Sequence, residues 1–269
     1  MKQAEKKRFG LIVEYDGSDF VGWQFQSNGR SVQGVLEAAL RALFFTDVRV
    51  HGAGRTDAGV HATGQVAHFD LVTTLDGNAM ARAINAKLPP DVTVHTAKVT
   101  DRDLHSRFSA SSRSYIYRIA HQRVSLARRT HWILRASLDH DAILATVPCL
   151  RGTHDFTAFS KNVPSMSHHY CHVFHAEWLP GESKTEFHIR SNRFLQGMVR
   201  CIVGGLVLVG RHRLSPDDFA ALITSRDRSR APMLAPAHGL ALSEVGYDLD
   251  DRALIDRIIL GLKEEGKAE

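Results

Sequence analysis

The order of strand and helix patterns in the first part of the chain places the strongest constraint on its fold. Residues 8–15 are rich in β-branched and aromatic side chains, which is typical of a strand. Ser31 is a candidate N-cap, and apolar residues recur at helical spacing from Val32 to Leu43, which predicts an amphipathic helix. Further strands are predicted at 48–51, 65–72 and 92–99, and a helix at 78–88. This βαββαβ order is that of a ferredoxin-like fold, with an antiparallel sheet on one side and two helices on the other.

A second set of elements follows the first. Strands are predicted at 112–121, 170–179, 186–192 and 240–247, and helices at 139–150, at 194–209 and from Ser215 onward. We therefore predict an α+β chain of two ferredoxin-like lobes, joined into a larger, mostly antiparallel sheet with a central cleft, where a ligand commonly binds. The N-terminal lobe is expected at 1–104, the C-terminal lobe at 105–249 and a helical tail at 250–269.

Composition narrows the class of protein. With 43% hydrophobic residues, the 269-residue chain can bury a sizeable core. Its three cysteines form no Cys-x-x-Cys pair, which argues against a disulfide framework and a zinc ribbon. The longest apolar stretch, 198–209, contains Arg200 and is too short to span a bilayer, and no secretion signal is evident. We expect a cytoplasmic protein without a membrane span.

Positive charge is concentrated in the middle of the sequence. The chain has 34 Lys and Arg residues against 29 Asp and Glu residues, a formal net charge of +5. Between Arg102 and Arg135, a run of arginines is opposed only by Asp103. Such a local excess would attract a polyanion such as RNA, although a solvated basic face without a ligand remains an alternative.

One glycine-rich stretch, 52–61, stands out as a candidate for chemistry. It reads Gly-Ala-Gly-Arg-Thr-Asp-Ala-Gly-Val-His and places a single carboxylate, Asp57, beside Arg55. The glycines favour a sharply shaped loop. It is neither a dinucleotide fingerprint, because the third glycine is absent, nor a P-loop, because no Gly-Lys-Ser/Thr follows. From spacing alone, a turn in which Asp57 caps a backbone amide remains an alternative.

Residues 54–61 resemble, at every position, the catalytic loop of the tRNA pseudouridine synthase A family. Further stretches resemble the same family in the same order along the chain. They are Tyr15-Asp16-Gly17-Ser18, Gly22-Trp23-Gln24, Arg107-Phe108-Ser109-Ala110, Phe194-Leu195, Met198-Val199-Arg200 and Gly239-Leu240. The resemblance thus extends over nearly the whole chain.

The resemblance implies a homodimeric isomerase that makes pseudouridine in the anticodon stem-loop of tRNA, at positions 38–40, without cofactor or metal. Asp57 would be the nucleophilic catalyst, and Tyr115 would stack on the target base and accept its proton. Arg55 would assist extrusion of the base, and Arg200 would pair with Asp57. The predicted substrate-binding residues are Tyr115, Arg55, Arg107, Arg113 and Leu242.

Spacing adds two expectations about packing. Tyr115 and Tyr117 stand two apart on a predicted strand and share one face, and we expect Tyr117 to belong to the core. Gly197 and Gly204 flank Arg200 on a predicted helix, so another stretch of backbone could approach that face closely.

The sequence is also compatible with two other functions. The chain could be a non-catalytic RNA-binding module, although it lacks the basic-aromatic run of that class. It could instead be a metal-dependent nuclease or hydrolase that uses His51, Asp57 and His61, although their spacing matches no zinc pattern. The segment 164–171 departs from the family pattern, and its RNA contacts are not predicted.

Overall fold

The computed structural model describes residues 5–160, 168–248 and 250–251. The predicted tail helix, 250–269, lies outside the described residues except for its first positions, and so does the first half of the divergent segment 164–171. The α+β class is confirmed, because the described residues form ten strands that pair mostly antiparallel and five α-helices. The chain divides into two compact units, Met1–Ala110 with Ala241–Val245 and Ser111–Leu240 with Gly246–Glu269. The predicted lobe boundary at 104/105 stays a prediction.

The first unit has the predicted βαββαβ order. Its elements are β1 (Glu5–Tyr15), α1 (Val32–Phe44), β2 (His51–Gly52), β3 (His61–Thr73), α2 (Gly77–Asn85) and β4 (Val92–Thr100). β1 pairs antiparallel with both β3 and β4, and β2 pairs antiparallel with β3. The last strand, β10 (Leu240–Gly246), runs parallel to β3, with Ala241 opposite His61 and Leu242 opposite Ala62.

Alternation along β1 explains where the core of this unit lies. Phe9, Leu11 and Val13 are buried because a strand turns every second side chain to the same face. Leu36 of α1 and Ile84 of α2 are fully buried as well. The helices therefore cover one face of the sheet, as the predicted fold requires.

Two predicted elements of the first unit are shorter than expected. Of the strand predicted at 48–51, only His51 is part of β2. The main chain of Val50 is bonded to α1 instead of to another strand. Its N–H donates to Glu37 Oε1 (3.0 Å) and its C=O accepts from Gln33 Nε2 (3.0 Å). α2 ends at Asn85 because the Asn85 amide bonds both main-chain groups of Val94, at 2.8 Å each. The predicted N-cap is confirmed, since the Ser31 side chain accepts the N–H of Gly34.

The described residues of the second unit form three α-helices and five further strands. Its elements are β5 (Ser112–Ala120), β6 (Trp132–Ile133), α3 (His140–Thr146), β7 (Gly152–Asp155), β8 (Tyr170–Leu179), β9 (Lys184–Ser191), α4 (Met198–Gly210) and α5 (Pro216–Ser225). β9 pairs antiparallel with β5 and β8, β8 pairs antiparallel with β7, and β6 runs parallel to β5. β8 spans the predicted residues. β6 and β7 were not predicted, because strands of two and four residues are too short to show an alternating pattern in the sequence.

Two helix predictions in the second unit need correction. α4 begins at Met198 and not at residue 194, because Gly197 has a φ of 76° and this left-handed conformation interrupts a helix. α3 ends at Thr146 and not at residue 150, because Pro148 lacks the N–H that an α-helix needs. The predicted start of α5 is confirmed, with Ser215 as its N-cap.

Candidate active site

The loop around Asp57, residues 53–60, joins β2 to β3 in the first unit. The N–H of Ala53 donates to the C=O of Val66 (2.7 Å). Gln65 is fully buried, and its amide donates to the C=O of Gly54 (2.8 Å) and accepts the N–H of Gly54 (3.2 Å). The first half of the loop is therefore bonded to β3 through both main-chain and side-chain groups.

The residue before the catalytic candidate is held by the N-terminal segment. Thr56 is buried, its C=O accepts the N–H of Trp23 (3.1 Å), and its hydroxyl lies 2.8 Å from the hydroxyl of Tyr15. Burial raises the pKa of the Tyr15 phenol above its usual range, so the group stays neutral and can donate or accept. Gly22 has a φ of 115°, and a Cβ there would lie 2.6 Å from the Thr56 carbonyl oxygen. Glycine is required at that close approach.

The second half of the loop is a tight turn. The N–H of Val60 donates to the C=O of Asp57 (3.1 Å), and Gly59 has a φ of 76°. His61 follows and is buried, and its Nδ1 accepts the N–H of Gly17 (3.0 Å). Both ends of the loop are therefore fixed by groups buried inside the same unit.

This support leaves both charged side chains of the loop accessible. Arg55 is exposed and Asp57 is half-buried, whereas Thr56 between them is buried. The structure thus presents a cation and a carboxylate, two residues apart, on a segment with a fixed main chain. Such preorganisation is what a single nucleophile requires, because little of the binding energy is then lost in ordering it.

Leu242, a predicted substrate-binding residue, lies on β10 opposite Ala62. Its side chain is fully buried. The pairing places β10 beside the segment into which the loop around Asp57 continues. Arg107, another predicted substrate-binding residue of this unit, is exposed and lies in a separate turn, residues 105–109, that follows β4.

In the second unit, the predicted residues lie on β5 and α4. Tyr115 is buried, and its ring meets that of Phe194 edge-on at 5.0 Å. Arg113, two residues earlier on the same strand, is half-buried and donates to the C=O of Asn192 (2.9 Å). Tyr117 is fully buried and donates its hydroxyl hydrogen to the C=O of Pro236 (2.8 Å), which confirms its predicted place in the core.

Arg200 is half-buried on α4, beside a stretch of extended chain. Its Nε donates to the C=O of Ala235 (2.7 Å), and the N–H of Ala235 donates back to the C=O of Arg200 (3.0 Å). One turn further on, Gly204 leaves no room for a Cβ beside the carbonyl of Met233. The predicted close approach of another backbone is therefore confirmed at Gly204.

The histidines of the metal hypothesis have other contacts. His61 uses Nδ1 to accept the N–H of Gly17, and the His51 ring stacks on His68 with centroids 5.0 Å apart. Within residues 5–160, 168–248 and 250–251, no three His, Cys, Asp or Glu side chains are grouped so that they could hold a metal ion.

Two supporting residues, Gln65 and Tyr15, were not identified as functional from the sequence. Gln65 had a usable signal, because it occupies the strand face that also carries Ala67 and Phe69, where a polar side chain is buried and must find partners. Tyr15 had a weaker signal, since a buried tyrosine at a strand end is common in cores.

The fold is that of an α+β protein, and its loop 53–60 carries one acidic residue, Asp57. The family model described as tRNA pseudouridine synthase matches residues 11–109 and 148–248. The chain therefore belongs to the tRNA pseudouridine synthase family, and it is an isomerase. The predicted resemblance is confirmed. Among the described residues, no helix is long and apolar enough to cross a membrane.

Relatives with curated names match almost the full length. The chain is 41% identical over 247 residues to tRNA pseudouridine synthase A of Bacteroides thetaiotaomicron, covering 91% of this chain and 92% of the relative. It is 42% identical over 248 residues to the protein of that name from Chloroflexus aurantiacus, covering 90% and 89%. It is also 42% identical over 245 residues to that of Paramagnetospirillum magneticum, covering 89% and 95%.

Proposed function

We propose that the chain converts uridine to pseudouridine in the anticodon stem-loop of tRNA, at positions 38–40, with Asp57 as its nucleophile and without a cofactor. The observation that carries the proposal is the fixed loop that presents Asp57 beside Arg55. The loop is held on the N-terminal side of Asp57 in three places. Gln65 bonds the main chain of Gly54, the Tyr15 hydroxyl bonds that of Thr56, and the Trp23 N–H bonds the Thr56 C=O. The proposed reaction needs one carboxylate in a fixed position.

The reaction balances without an external electron acceptor. The bond between ribose C1′ and uracil N1 breaks, a bond between C1′ and C5 forms, C5 loses a proton and N1 gains one. A nucleophilic carboxylate divides this exchange into two easier steps, because it holds one fragment while the base turns. Asp57 is assigned that role, and Tyr115 is assigned the stacking contact with the uracil and the acceptance of its C5 proton.

The arginines are assigned to charge and to base extrusion. A base inside a stem must leave the stack, which costs a few kcal/mol. Arg55 is exposed beside Asp57 and suits the space left by an extruded base. Arg200 is assigned as the positive partner that keeps the reacting carboxylate ionised, and Arg107, Arg113 and Leu242 as substrate-binding residues. We further propose a cytoplasmic homodimer, on the resemblance of the sequence.

The test is tritium release from tRNA labelled at uracil C5. Asp57→Asn keeps the size of the side chain and removes its charge, so release should fall by about 10⁴-fold or more while tRNA binding stays close to that of the wild type. Asp47→Asn is the matched control, because Asp47 is exposed and pairs with Arg41 on the surface. It should release tritium at the wild-type rate. Release at a similar rate by Asp57→Asn would overturn the assignment.

A further inference from the structure

The exposed ring of Phe108 in the first unit is not explained by the reaction proposed at Asp57. Phe108 lies in the turn 105–109 and is 66% exposed. Such a large exposed ring on an ordered segment needs a reason, since burial of a phenylalanine side chain is worth about 1.5–3 kcal/mol. Phe45 is 92% exposed in the same unit but makes no ring–ring or cation–π contact among the described residues.

Phe108 is supported by a cluster of three imidazoles. Its ring centroid lies 4.4 Å from that of His105, His105 meets His68 edge-on at 4.6 Å, and His68 stacks on His51 at 5.0 Å. The phenyl ring is therefore in contact with protein although the residue is largely exposed. A flat ring that is supported by protein and remains largely accessible is the arrangement on which a nucleic-acid base stacks.

The main chain of this turn is fixed by the same imidazole. His105 Nδ1 accepts the N–H groups of Arg107 (3.1 Å) and Phe108 (3.3 Å), and the Ser109 N–H donates to the C=O of His105 (2.9 Å). Ser106 donates its hydroxyl hydrogen to the C=O of His51 (2.6 Å), which ties the turn to β2. The ring is thus held in place before any ligand arrives, which lowers the entropic cost of binding.

The charge beside the ring fits a nucleotide better than an apolar partner. The guanidinium carbon of Arg107 lies 5.8 Å from the centre of the Phe108 ring. Burial and the positive groups nearby lower the pKa of His105, so the imidazole beneath the ring is neutral at neutral pH and packs as an aromatic ring. A π-face next to a fixed positive charge matches a base together with its phosphate.

We propose that Phe108 stacks on an unpaired base of the tRNA and that Arg107 contacts the adjacent phosphate. The inference rests on the proposed function, because tRNA is the RNA in question, and it adds a contact made by a separate turn. Loss of one stacked base should weaken binding about 5- to 150-fold.

Binding of an unmodified tRNA transcript across a salt series tests the two roles separately. Phe108→Leu keeps apolar bulk but removes the π-face, so the dissociation constant should rise about 5-fold or more with an unchanged salt slope. Phe108→Tyr should bind like the wild type. Arg107→Ala should lower the slope of log Kd against log salt by about one. Phe45→Ala, the matched control, should change neither quantity.

A fluorescence measurement tests the stacking directly. Phe108→Trp adds an exposed indole to a chain in which Trp23 and Trp178 are buried and Trp132 is half-buried. Its added emission, obtained as the difference from the wild type, should be quenched at saturating tRNA. Unquenched emission, together with wild-type affinity of Phe108→Leu, would overturn the proposal.

Three further outcomes distinguish a failure of the stacking contact from a failure of the proposed function. If the wild type neither binds tRNA nor releases tritium, the proposed function itself fails. If the wild type does both and Phe108→Leu binds tRNA equally well, only the stacking proposal fails. A change in mass by light scattering in Phe108→Leu, with tRNA affinity unchanged, would assign the ring to a contact between protein chains and would also overturn the proposal.

Discussion

The loop around Asp57 and the turn 105–109 lie in the same unit, but different chemistry holds them in place. The first half of the loop depends on groups that stay neutral across the physiological pH range, the amide of Gln65 and the phenol of Tyr15. The turn depends on His105 and His68, whose lone pairs accept main-chain N–H groups. The support on the N-terminal side of Asp57 is therefore insulated from pH, whereas the support of the turn is not.

The largest expected effect comes from removing the side chain that holds the loop. Gln65→Ala leaves both main-chain groups of Gly54 without their buried partner and creates a cavity, which should lower the free energy of unfolding by about 2–4 kcal/mol. A displaced Asp57 should also lower kcat by roughly 10- to 100-fold. Urea denaturation and tritium release measure the two effects.

Gln26→Ala is the control for this experiment. Gln26 is exposed, and its side chain donates a long bond to the C=O of Val21 (3.3 Å). Its removal should leave stability and kcat close to those of the wild type. If Gln65→Ala loses stability but keeps the wild-type kcat, the loop does not depend on Gln65 for its catalytic geometry.

Acid should affect the turn before it affects the first half of the loop. Burial, with His105, Arg8 and His51 nearby, lowers the pKa of His68 from 6.5 to about 4. The unfolded chain then binds more protons than the folded chain between these values, so stability present above pH 6.5 is lost as the pH falls toward 4. The loss should reach up to about 3 kcal/mol at the acid end of this window.

The comparison variant for this prediction is His68→Gln, measured by urea denaturation at a series of pH values. Its stability should fall less steeply than that of the wild type between pH 6.5 and 4. Parallel curves for the wild type and His68→Gln would contradict the assignment of the acid response to His68.

A smaller effect should come from the close contact at Gly22. Gly22→Ala places a methyl group against the Thr56 carbonyl at a φ of 115°, which should cost roughly 1–3 kcal/mol and reduce kcat by disturbing the residue before Asp57. Gly152→Ala has a similar backbone conformation, with a φ of 100°, but no atom within close contact. It should lose stability and keep its activity. Equal activities in the two variants would mean that the contact at Thr56 does not position Asp57.

These regions also differ in how far the sequence could predict them. The loop was found because it matches a motif, and Ser31 and β8 were found because local patterns determine them. β2 was predicted too long because the competing bonds from Glu37 and Gln33 to Val50 are tertiary. The predicted start of α4 was wrong because the left-handed conformation of Gly197 determines where the helix begins. The exposure of Phe108 could not be predicted, because it depends on which rings the fold places beneath it.

The most direct test of the central claim, that the loop around Asp57 performs the isomerisation, is nucleotide-resolution mapping of pseudouridine. An unmodified tRNA transcript is incubated with the wild type or with Asp57→Asn, at enzyme concentrations that saturate the RNA for both. The account predicts pseudouridine at positions 38–40 with the wild type and none with the variant. Two results would contradict this prediction. One is pseudouridine at positions 38–40 with Asp57→Asn, and the other is a wild type that forms pseudouridine at other positions but not at 38–40.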